Sequence, residues 1–166
     1  MRLLVTGAAG MLGQDVVSAA EAAGHDVSAF ARRDLDITDP AAVGEAVQAS
    51  RPDAIVNCAA WTDVDGAETQ EQEATAVNGA AVGHLSRAAA VAGAHLVHVS
   101  SDYVFEGTAS APYVESAATG PLSAYGRSKL AGEMAMDLQR DAVVRASWLF
   151  GPNGPNFAAT MLRLAG

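Results

Sequence analysis

The sequence predicts an α/β fold: a doubly wound parallel sheet in a single domain spanning residues 1–166. Two observations carry this. Short apolar runs alternate along the chain with segments of helical composition, about ten or more residues each, which is the pattern of βαβ units with right-handed crossovers. The first apolar run ends in closely spaced glycines that lead directly into a helix.

The elements follow in order. "RLLVTG" (2–7) is a buried strand, and "MLGQDVVSAAEAAG" (11–24) is a helix closing on Gly24. "HDVSAFA" (25–31) is the second strand. "DPAAVGEAVQAS" (39–50) opens with Asp before Pro, a helix-start signal. "DAIVNCAA" (53–60) is the third strand, and the Ala-rich stretch 70–92 is one long helix. "AHLVHVSS" (94–101) is the fourth strand, "PLSAYGRSKLAGEMAMDL" (121–138) a helix, and "DAVVRAS" (141–147) the fifth strand. The chain stops in a further helix at "MLRLAG". The loop 102–120 is long for a compact domain, which marks it as functional or mobile.

Composition narrows the function classes. Half of the 166 residues are hydrophobic and 17% are charged, as expected of a folded domain. A net charge of −9 argues against a nucleic-acid groove or an anionic membrane surface, since both need clustered Lys and Arg. It leaves room for a nucleotide, whose phosphates backbone N–H groups can hold. The one cysteine, Cys58, allows no internal disulfide and suits a reducing compartment. No apolar run approaches the roughly 18 residues of a membrane span, and the N-terminus does not read as a signal peptide. A cytoplasmic location is expected.

Gly7, Gly10 and Gly13 lie between the first strand and the first helix in G-x-x-G-x-x-G spacing. Glycine lets backbone approach a pyrophosphate at a helix N-terminus, so this turn predicts a dinucleotide site of Rossmann-like type. The end of the second strand selects the cofactor: an acid binds ribose hydroxyls, whereas Arg accommodates a 2′-phosphate. "FARRDLDIT" places Arg32 and Arg33 there, with Asp34 and Asp36 following. The reading leans toward NADPH, with NADH also open. The alternative is a pair of solvated surface arginines.

Ser101 falls at the carboxyl end of the fourth strand, facing the crevice where such sheets bind ligands. Tyr125 and Lys129 are four apart on a helix and share a face. A Lys cation beside Tyr125 is expected to lower its hydroxyl pKa from about 10. Ser101 then hydrogen-bonds a carbonyl, and Tyr125 delivers the proton as a nicotinamide reduces it.

The glycine spacing, the strand-end Ser101 and the Y-x-x-x-K pair resemble the extended branch of the short-chain dehydrogenase/reductase superfamily. "VNCAAWTDVDGAE", "SSDYVFEGT", "YGRSKLAGE", "RASWLFGPNGPNF" and "MLRL" together resemble its dTDP-4-dehydrorhamnose reductase family over residues 1–166. The resemblance implies reduction of the 4-keto group of dTDP-4-dehydro-L-rhamnose to give dTDP-L-rhamnose. It implies that Gly7, Ala9, Gly10, Met11, Leu12 and Gly13 hold the pyrophosphate, and that Asp36 and Ile37 flank the adenine. Ala59, Ala60 and Trp61 would line the cofactor, with Val99 near the nicotinamide. Ser101, Tyr125 and Lys129 would form the catalytic triad, with Lys129 also on the nicotinamide ribose. Ser101, Asp102 and Trp148 would touch the sugar. Asn78 would support the site structurally or through a proton relay. Family members are nearly twice as long, so the chain reads as an N-terminal portion or a shortened protein, with the family's substrate-binding segment missing or shortened. A homodimer is an expectation for the full-length form only.

Two alternatives accompany this reading. Sugar-nucleotide dehydratases carry Thr-Asp-Glu where this chain has Ser101-Asp102-Tyr103, and epimerases usually lack the Asp-Tyr-Val-Phe run, so reduction is favoured over either chemistry. A non-catalytic NADP-binding regulatory subunit, similar to the methionine adenosyltransferase beta subunit, is the other class. The remaining candidates have bland readings. Cys58 is a buried small hydrophobe. His95 and His98, three apart on a strand, face opposite sides, and no cluster has metal-ligand spacing. Arg145 is a core-edge ion pair.

Overall fold

The computed structural model describes all 166 residues. Five strands form one sheet: β1 (Arg2–Thr6), β2 (Asp26–Phe30), β3 (Ala54–Asn57), β4 (His95–Ser101) and β5 (Ala142–Ala146). The order is β2-β1-β3-β4-β5, and every pair is parallel. The helices are α1 (Met11–Ala22), α2 (Pro40–Ser50), α3 (Val64–Ala67), α4 (Glu71–Thr75), α5 (Ala81–Ala92), α6 (Ala124–Met134) and α7 (Phe157–Ala165). No helix is long and apolar enough to cross a membrane.

The first crossover, β1 to β2, runs in one direction across the sheet, and all later ones run in the other. With right-handed crossovers this puts α1 on one face and α2, α5 and α6 on the opposite face. The reversal opens a crevice between the carboxyl ends of β1 and β3. Leu4, Ile55 and Leu96 stand in register across β1, β3 and β4, and pack against Val43 and Val47 of α2 and Val82, Leu85 and Ala89 of α5. This apolar layer fixes the register, because a one-residue slip would turn every one of these side chains to the other face.

Local chemistry sets the helix ends. Asp39 caps α2, its Oδ1 accepting from Ala41 N–H at 2.9 Å, with Pro40 in the first turn. Ser123 caps α6 by accepting from Gly126 N–H at 3.0 Å, so that helix starts at Ala124, three residues later than its composition suggests. The expected helix over 70–92 is interrupted. Between α4 and α5 lies one π-helical turn, Ala76–Ala80, that turns Asn78 inward. Asn78 Oδ1 accepts from Trp61 N–H at 2.9 Å, and its Nδ2 donates to Trp61 O at 3.0 Å and Ser128 Oγ at 2.9 Å. The wider turn is thus spent on joining the loop after β3 to α6.

The long loop opens with a 3₁₀ turn, Asp102–Val104. Phe105 and Tyr113 stack at 4.3 Å, and the Arg145 guanidinium lies 4.9 Å above Phe105. Arg145 also grips Glu133 of α6, Nη2 to Oε2 at 2.6 Å, and donates to Glu115 O at 3.1 Å. The core-edge ion pair read from the sequence is therefore also the anchor of this loop.

Candidate active site

The carboxyl ends of β1, β3, β4 and β5 open into one cleft of about 1040 Å³. Gly7, Ala9, Gly10, Met11, Leu12 and Gly13 line one end, with Arg32, Asp36 and Ile37 beside them. Ala59, Ala60, Trp61 and Val99 line the middle, and Ser101, Asp102, Tyr125, Lys129 and Trp148 the far end. One expected residue is missing. Arg33 points away from the cleft, 88% exposed and 3.5 Å from Asp34, because the turn after β2 directs successive side chains apart. Thr38, Cys58, Tyr103 and Pro155 also line the cleft without having been singled out for it. Only their spatial proximity to strand ends identifies them.

The glycine turn is crowded by design. Gly7 has φ +66°, and a Cβ there would lie 2.5 Å from Ala59 N. A Cβ on Gly13 would lie 2.1 Å from Gly7 O. No side chain caps α1, and the N–H groups of Met11, Leu12 and Gly13 meet no acceptor within the chain. Three free donors at a positive helix end, reachable across bare backbone, fit the pyrophosphate of a dinucleotide. Gly13→Ala is expected to cost about 1–3 kcal/mol through overpacking, read as a lower urea midpoint with unchanged slope.

Beside the glycine turn, one oxygen of the Asp36 carboxylate is engaged. It accepts from Thr38 N–H at 2.9 Å and Thr38 Oγ1 at 2.7 Å, bonds that hold its pKa below the ordinary value. Arg32 stands beside it in the cleft. This end therefore offers a guanidinium together with one Asp36 carboxylate oxygen that has no partner within the chain.

At the far end, burial pushes the Tyr125 hydroxyl above the ordinary phenol range. Ser101 acts in the opposite direction, while Asp102 and Tyr103 add to the rise. Tyr103 packs edge-on against the Tyr125 ring at 5.5 Å. The expected acidification of Tyr125 by Lys129 is absent. Lys129 is buried, and its Nζ donates to Val99 O of β4 at 2.7 Å, so one of its N–H bonds is directed to the sheet. Burial lowers the Lys129 pKa to about 8, against the opposing pull of Glu133 and Cys58. The Cys58 thiol is pushed up to about 11 by burial, in keeping with an unreactive small hydrophobe.

His98, which the strand pattern shows only as facing away from His95, is a buried neighbour of Lys129, Nε2 to Nζ 3.4 Å. Burial first, then Lys129, lower its pKa from 6.5 to about 3. Between these values the unfolded chain binds a proton that the folded chain does not. Stability present above the unfolded value is therefore lost as pH falls from 6.5 toward about 3, by up to about 1.4 kcal/mol per pH unit. Urea unfolding across that window should show a shallower acid decline for His98→Phe than for the wild type.

The loop after β5 covers the glycine turn. Asn153 Nδ2 donates to Asp15 Oδ1 of α1 at 2.6 Å, and Gly154 rests on Met11. Trp148 in this loop has φ +53°, an uncommon left-handed conformation for a bulky residue. The residue is 75% exposed where it lines the cleft, its ring edge-on to Phe157 at 5.2 Å.

Residues 1–166 match the family described as RmlD substrate binding domain. The chain is 49% identical over 166 residues to the dTDP-4-dehydrorhamnose reductase of Streptomyces griseus, covering 98% of this chain and 55% of that protein. It is also 49% identical to the dTDP-4-keto-6-deoxy-D-glucose reductase of Streptomyces niveus, covering 98% of this chain and 58% of that one. The solved structure of dTDP-4-dehydrorhamnose reductase from Bacillus anthracis, in complex with NADP, has a TM-score of 0.94 at 38% identity, over 98% of this chain and 59% of that chain. The chain spans a little over half the length of these relatives. With the parallel sheet, the glycine turn and a match along its whole length, the chain belongs to the RmlD substrate-binding-domain family.

Proposed function

We propose that this chain is the cofactor-binding and catalytic portion of an NADPH-dependent reductase that converts the 4-keto group of dTDP-4-dehydro-L-rhamnose into the alcohol of dTDP-L-rhamnose. The observation that carries this reading is one continuous cleft with uncapped α1 at one end and Ser101, Tyr125 and Lys129 at the other. Bound NADPH would supply the hydride. The free N–H groups of Met11, Leu12 and Gly13 hold its pyrophosphate, and Arg32 favours the 2′-phosphate over a bare ribose. Ser101 Oγ donates to the substrate carbonyl. Tyr125 gives the proton, and its raised pKa keeps that proton in place until it is needed. Asp102 and Trp148 contact the sugar. The NADP-bound Bacillus anthracis relative supports the cofactor, and the names of the Streptomyces relatives support the substrate class.

The test is NADPH oxidation with dTDP-4-dehydro-L-rhamnose. Substrate-dependent turnover by this chain supports the reading. Saturable NADPH binding without turnover, persisting in a full-length form of the protein, would instead favour the regulatory-subunit reading.

A further inference from the structure

Two residues beyond Leu4, Ile55 and Leu96, on the same face of the sheet, the strands bring Thr6, Asn57 and His98 into register. A polar row thus crosses three central strands where the pattern calls for more apolar side chains, and all three residues are buried. Its hydrogen bonds run in one direction, set by a backbone group. Ala59 N–H can only donate, and Asn57 Oδ1 accepts from it at 3.1 Å. Thr6 Oγ1 donates to the same oxygen at 2.6 Å. The Asn57 amide nitrogen is thereby turned toward His98, 3.0 Å from Nδ1. An amide NH₂ offers only protons, so Nδ1 must present its lone pair. A neutral imidazole then carries its single proton on Nε2, the nitrogen that faces Lys129 Nζ at 3.4 Å. An ammonium has three donors and no acceptor, and would oppose this N–H. An uncharged amine accepts from it.

We propose that His98 is a positioning residue for Lys129: held by Asn57 as the Nε2–H tautomer, it presents a proton donor to the Lys129 amine and favours its uncharged form in the ligand-free protein. The other groups around Nζ are accounted for. Val99 O accepts one of its protons. Cys58, just beyond β3, and Glu133, one turn along α6, favour the cation, but Glu133 is already bonded to Ser100 Oγ and Arg145. Tyr125 lies one turn back on α6. His98 thereby weakens the hold of Lys129 on its proton on the Tyr125 face of the helix. The assignment concerns the folded chain and is independent of the reaction proposed above.

Nitrogen-15 NMR of the histidine-labelled chain at neutral pH reads the tautomer directly. The expected result is His98 protonated on Nε2 alone, and a proton on Nδ1 overturns the assignment. Lys129 is the chain's sole lysine, so a single carbon-13 label at lysine Cε follows its titration. In His98→Phe, which keeps a buried ring and removes both nitrogens, Lys129 is expected to titrate at higher pH than in the wild type. A downward shift would mean that the imidazole had accepted from an ammonium, and no shift would mean that it had no influence. Either overturns the proposal. Where His98→Phe fails to fold, the wild-type tautomer decides.

Discussion

Tyr125→Phe is expected to lower NADPH-dependent turnover of the dTDP-4-keto sugar by about 10²–10⁴-fold, with NADPH affinity unchanged. The substitution deletes one hydroxyl and keeps the ring, so the edge-on contact with Tyr103 at 5.5 Å survives. The glycine turn and the α1 N-terminus are untouched, which is why cofactor affinity holds. The size of the loss follows from the environment. Burial keeps the Tyr125 hydroxyl protonated through the neutral range, so it acts as an acid from the start. Steady-state kinetics and NADPH fluorescence titration on the same preparation separate the two quantities. A loss below tenfold would place the proton donor elsewhere, with Ser101 the next group in reach.

Arg145→Met is expected to destabilise the fold by about 3–5 kcal/mol, measured by urea unfolding. The Glu133 side chain is 6% exposed and bonded to the guanidinium through both oxygens, from Nε at 3.0 and 3.2 Å and Nη2 at 2.6 Å. Removing the cation strands a buried carboxylate with the Ser100 hydroxyl as its one remaining hydrogen-bond partner. The loop suffers too, because Glu115 O loses its donor and Phe105 its cation. Adding Glu133→Gln to Arg145→Met should restore part of the loss, since the stranded charge is the larger share of the penalty. A single-variant loss under about 1 kcal/mol would mean that the pair behaves as a surface bridge.

The sheet was readable because parallel strands, covered on their faces, show as nearly continuous apolar runs, and here each run matched one strand. The glycine turn was readable because its steric demand is local: Gly7 and Gly13 sit where backbone atoms leave no space for a Cβ. What stayed hidden depends on neighbours distant in sequence. Asn57 and His98 interrupt apolar runs and look like tolerated exceptions, yet the register joins them 41 residues apart into one polar row. Lys129 could be placed on the Tyr125 face by helical spacing, but helical spacing says nothing of Val99 O, which accepts a hydrogen bond from its Nζ. Arg32 and Arg33 were equivalent in the sequence, and only the turn separates them. The π-helical turn at Asn78 carries no local composition signal, because its cause is the pair of bonds to Trp61 across a gap of 17 residues.

The Asn153–Asp15 bond joins residues 138 positions apart and closes a loop over the glycine turn. At synthesis rates of about 5–20 residues per second, that separation places about 7–28 s between the emergence of the two partners from a ribosome. β1, α1 and β2 can assemble early in that interval, so the nascent chain passes through a period in which the glycine turn exists without the loop that later ties to α1. The growing polypeptide is thus exposed at this crevice until the loop after β5 emerges and ties itself to α1.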